Sequence, residues 1–145
     1  MMERSIKGAL GLVFGVALGM GLAGCESAPV QTPEVTREGA EAGRGFYALY
    51  CTSCHGVQAK GNGPYAADLP VPPADLTQLA NRYDGFPWSR VMAQVHGYRG
   101  RNDLMPEYHS VLDGPTTKWR DEDGTVLETP VVLLQVAQYL AAIQE

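Results

Sequence analysis

Residues 50–56 read YCTSCHG, so two of the chain's three cysteines, Cys51 and Cys54, stand three apart with His55 directly behind them. Three chemistries use this spacing: a redox dithiol, half of a zinc site, or covalent attachment of a haem. The surrounding residues separate them. A zinc site needs four ligands, and no further cysteine follows Cys54. A thioredoxin-like dithiol follows the first strand of an alternating strand–helix series, whereas here a helical stretch precedes the motif and no such series follows it. Haem attachment leaves nothing over. Two thiols one helical turn apart can add to vinyl groups on neighbouring edges of a porphyrin, and the adjacent imidazole then lies beneath the iron.

The helical stretch is REGAEAGRGFYALYC, with Thr36 as its cap, Glu38 and Glu41 near its positive end, and Phe46, Leu49 and Tyr50 as an apolar stripe. A second helix is expected at the other end of the chain. There Thr129 and Pro130 read as cap and first-turn residue, and VVLLQVAQYLAAIQ puts Leu133, Val136, Leu140 and Ile143 on one core-facing stripe, opposite a wet side. Between the two, TKW and TVL flank DEDG and predict a β-hairpin turning at Asp123-Gly124, with an acidic tip at Asp121 to Asp123. With 145 residues, 45% of them hydrophobic, the chain has the size of one small domain, mainly α with a short β-hairpin insertion.

The first stretch, MMERSIKGALGLVFGVALGMGLAGC, carries Arg4 and Lys7 and then an uncharged apolar run from Ile6 to Ala23 broken by glycines, which is a targeting segment. Leu22-Ala23-Gly24 before Cys25 resembles a bacterial lipobox, in which the cysteine is lipidated and becomes the first residue. The expected organisation is a lipoprotein signal peptide over 1–24, a lipid-anchored flexible tether over 25–36 and the domain over 37–145. Lipidation of Cys25 also closes the cysteine count, with one for the anchor and two for the motif. The tether segment ESAPVQTPEVT has two prolines and no apolar periodicity, and fully stretched its eleven residues reach about 35 Å. Without residues 1–24 the chain keeps nine basic and fifteen acidic residues, a net charge of −6. That balance excludes nucleic acid as a partner.

From about Arg37 to the C-terminus the sequence resembles a class I c-type cytochrome. In that family a glycine eight residues before the first haem cysteine and an aromatic four before it mark the crossing of the first and last helices. Gly43 and Tyr47 hold those positions, and VAQYL supplies Val136 and Tyr139 on the terminal helix. The resemblance implies one covalent haem c, with thioethers from Cys51 and Cys54 and His55 as the proximal iron ligand. The segment GNGPYAADLPVPPADLT resembles the loop whose proline carbonyl accepts the N–H of that histidine, which makes Pro64 the expected acceptor.

For the sixth ligand, NDLMPEY puts Met105 before a proline, fifty residues after His55, where bacterial members of the family offer a thioether. Met92 lies in PWSRVMAQVHG on a short amphipathic helix with Trp88, Val91 and Val95, and reads as core; His96, where that helix ends at Gly97, is the alternative ligand, and His109 reads as exposed. Arg82, Arg99 and Arg101 flank the distal region and are candidates for pairing with haem propionates. The resemblance implies an electron carrier rather than an enzyme, passing single electrons between redox proteins of an electron-transport chain. It would be lipid-anchored on the periplasmic side of the cell envelope, and Glu26 after the lipidated cysteine resembles an outer-membrane address. A haem enzyme or sensor with an open or displaceable sixth site, and a fixed subunit of a larger oxidoreductase complex, stay open as alternatives.

Overall fold

Helix α1 (Arg37–Tyr50) starts at Thr36, whose hydroxyl accepts the Gly39 N–H at 3.1 Å and donates to the Gln138 side-chain oxygen at 2.8 Å. The computed structural model that shows this describes residues 30–97 and 104–145, so Cys25, Arg99 and Arg101 lie outside the described residues. The buried face of α1 is Gly39, Gly43 and Tyr47; of the expected stripe, Phe46 packs half-buried against the core, while Tyr50 and Leu49 are exposed, Leu49 to 78%. The reason is a close helix crossing. A Cβ on Gly43 would strike the Gln135 carbonyl, so the contact face needs residues that carry no hydropathy signal.

The partner in that crossing is α5 (Val131–Ala142), and the two make the largest contact between elements. Tyr47 packs against Tyr139 with ring centres 5.1 Å apart and the rings tilted by 50°. Helix α5 has no wet side of any extent, because Leu133, Leu134, Val136, Ala137, Gln138 and Leu140 are all buried between α1 and its other neighbours. Gln138 can be buried because it accepts from the Thr36 N–H and hydroxyl.

Three shorter helices follow α1: α2 (Thr52–His55), α3 (Leu79–Tyr83) and α4 (Trp88–His96). The hairpin forms as expected from β1 (Thr116–Arg120) and β2 (Val126–Pro130), paired antiparallel from Thr116↔Pro130 to Arg120↔Val126. Its turn is pinned by Asp121, whose carboxylate accepts the N–H groups of Asp123 and Thr125 at 3.1 and 2.7 Å, and by Gly124 at φ 87°. Thr129 is not a helix cap. It lies in β2 opposite Thr117, and the strand runs straight into α5, whose first N–H, on Val131, bonds to the Pro115 carbonyl at 2.9 Å.

Trp119 on β1 is fully buried in the common core, which is what stabilises so short a hairpin. Its indole N–H has no partner among the described residues. On the outer edge of β1, Gln31 donates to the Lys118 carbonyl and accepts from the Arg120 N–H, both at 2.7 Å. The segment expected to be a flexible tether is therefore held at Gln31 and again at Thr36. No helix among the described residues is long and apolar enough to cross a membrane.

Candidate haem-binding site

Helix α1 ends at Cys51 and α2 carries the rest of the motif. The carbonyls of Thr52, Ser53, Cys54 and His55 would be left open at so short a helix's end, and each receives a backbone N–H from the loop that follows: from Gly56, Tyr65, Gly63 and Gly61, at 2.8 to 3.0 Å. This return of the chain needs glycine. Gly56 and Gly61 sit at φ 78° and 74°, and a Cβ on Gly63 would press on the Thr52 and Ser53 carbonyls. The Tyr47 hydroxyl donates to the Gly56 carbonyl at 2.7 Å, tying the motif's exit back to α1; burial raises that phenol far above its ordinary pKa.

His55 Nδ1 lies 3.0 Å from the carbonyl of Ala74, not that of Pro64. Pro64 falls between Gly63 and Tyr65, both bonded to the end of α2, so its backbone is committed to closing the helix. The chain reaches the imidazole only ten residues later, after Pro72 and Pro73, and the Leu76 N–H then fastens the return to the Ala59 carbonyl at 2.7 Å. With Nδ1–H donating to Ala74, the Nε2 lone pair is left for a metal. Burial holds the imidazole pKa below its ordinary value, opposed in part by the Ala74 acceptor.

Cys51, Cys54, His55 and Met105 all line one cleft of about 720 Å³. Val91, Val95, Val136 and Leu140 supply apolar wall, and Arg82, Tyr83 and Arg90 also border it, with the Arg90 guanidinium 4.8 Å above the Tyr83 ring. Burial, with Cys54 beside it, pushes the Cys51 thiol up to about 12, so it is protonated at neutral pH. Met105 reaches the cleft from the segment after α4, and the Gln94 side-chain amide donates to its sulfur at 3.8 Å. Gln94 was not singled out from the sequence; its signal was a polar residue on the Val91–Val95 face of an amphipathic helix.

Met92 is buried in the core, as expected. His96 ends α4 before Gly97, which adopts φ 101°; it does not line the cleft, and its ring stands 6.3 Å from that of His109. His109 is exposed, 3.7 Å from the Glu107 carboxylate. The cleft therefore offers two thiols, one imidazole and one thioether within apolar walls, a donor set and volume that fit a covalently bound porphyrin iron. Residues 40–124 match the family model for cytochrome c.

The chain belongs to the cytochrome c family. No curated protein matches it. The family carries covalently attached haem c with iron and serves haem-based electron transfer. In this cytochrome the matched span takes in the whole motif, the Ala74 loop, α4 and Met105, and ends within the hairpin turn at Gly124.

Proposed function

We propose that the protein is a lipid-anchored, mono-haem electron carrier that passes single electrons between respiratory-chain partners on the periplasmic side of the cell envelope. The observation that carries this reading is the sharing of one cleft by the His55 imidazole and the Met105 thioether, together with both motif thiols. Bound haem c supplies a one-electron iron couple. Cys51 and Cys54 hold it through thioethers, each thiol adding S and H across a vinyl double bond. His55 donates Nε2 to the iron while the Ala74 carbonyl fixes the ring and enriches its electron density. Met105, on the wall of the same cleft, would offer the iron a soft, neutral donor that favours the ferrous state and raises the potential. With His55 and Met105 both available to a bound iron, little room would be left for a substrate there, which favours a carrier over a peroxidase-like enzyme or a sensor.

The test is an absorption spectrum, oxidised and reduced, of protein matured with haem c, beside Met105→Ala. A low-spin spectrum whose weak red-end sulfur-to-iron band vanishes in the variant supports His55/Met105 ligation; a band absent from the start, or retained in the variant, rejects it. Membrane attachment rests on the sequence before Cys25. Cys25→Ser is expected to release the protein from membranes, and continued association would reject the lipid anchor.

A further inference from the structure

The acidic tip of the hairpin is engaged rather than free. The Glu122 carboxylate accepts the Ser89 backbone N–H at 3.0 and 3.3 Å and also takes the Ser89 hydroxyl. Helix α4 begins at Trp88 after Pro87 and has no side-chain cap of its own, so the Ser89 N–H is one of its open donors. Glu122, thirty-three residues further on, caps that helix in trans and sets a negative charge at its positive end. The tip holds its place because Asp121 closes the turn and Trp119 is buried beneath it.

Helix α4 presents Val91, Gln94 and Val95 to the cleft, and Gln94 donates to the Met105 sulfur. A thioether sulfur has two lone pairs; an N–H on one leaves the other for the metal. We propose that Glu122 is a positioning residue for Met105: the hairpin insertion caps α4 in trans, and α4, through Gln94, holds the thioether at the cleft. This rests on Met105 being the sixth ligand.

The test titrates the ferric holoprotein with imidazole, which competes with the Met105 sulfur for iron. Glu122→Ala is expected to raise apparent imidazole affinity about three- to tenfold, the scale of a lost helix cap. Gln94→Leu is expected to raise it at least as much, and the double variant no further than Gln94→Leu alone, because the two act along one path. Independently of the iron, amide exchange at Ser89 is expected to quicken in Glu122→Ala while that at Cys51 stays unchanged. An imidazole affinity unmoved by Glu122→Ala, or an effect fully additive with Gln94→Leu, overturns the proposal. A missing sulfur-to-iron band in the unaltered protein overturns Met105 ligation itself, and is seen before any variant is made.

Discussion

Between Cys51 and Leu76 the chain builds its wall of the cleft from near neighbours in sequence, with four successive carbonyls of α2 closed by the loop that follows and the His55 ring set on Ala74. The Met105 wall is assembled from afar. Its helix is capped by a hairpin residue thirty-three positions away, an N–H···S contact joins that helix to the sulfur, and the Tyr108 hydroxyl, three residues past Met105, donates to the Tyr50 carbonyl at 2.9 Å. Local closure costs little chain entropy and resists opening, whereas a wall held by a few long-range contacts opens first. The two walls of the cleft thus differ in how they are held, the His55 side by neighbours in sequence and the Met105 side by long-range contacts.

Three substitutions probe that contrast. The largest effect is expected from Trp119→Ala, which empties a fully buried site under the hairpin and costs about 3–5 kcal/mol. Denaturant unfolding measures the loss, and amide exchange is expected to rise in α4 well before α1; equal loosening of both would break the comparison. Gly43→Leu drives a side chain into the Gln135 carbonyl at the α1–α5 crossing and is expected to cost about 3 kcal/mol, read as a fall in Tm. Here the disturbance should spread to the His55 side, through Tyr47 and its bond to Gly56. The smallest effect is expected from Thr36→Ala, about 1 kcal/mol for the lost cap and the bond to Gln138, seen as a lower urea midpoint with an unchanged m-value.

The same contrast governs what the sequence revealed. The motif, the Thr36 cap and the hairpin turn are short-range signals, each legible because the residues that interact lie close together or have a fixed chemical role, whereas Gly43 and Tyr47, which meet α5 across the fold, were legible only through the family resemblance. The stripe of α1 was misread because two of the three residues of its contact face are glycine, which hydropathy does not register. The start of α5 was misplaced because Thr-Pro is an acceptable cap in isolation, and only the pairing with β1 reveals that Thr129 belongs to a strand. Pro64 lay in the right loop at the wrong depth: the chain spends its first turn closing α2 before it can pass beneath the imidazole. The Glu122–Ser89 contact left no local trace at all, since neither residue is unusual where it stands.

The pairing of Gln31 with β1 changes the geometry of anchorage. With a lipid on Cys25, only the six chain steps from Cys25 to Gln31 separate the bilayer from a fixed point on the domain, at most about 20 Å whatever path they take. That is little more than half the reach of the whole segment before α1. The carrier would sweep a thin layer over the lipid, meeting partners by diffusion in two dimensions at a local concentration set by the layer's depth. A partner whose redox centre stands high above the membrane would be out of range, and one seated at the surface would be met continually.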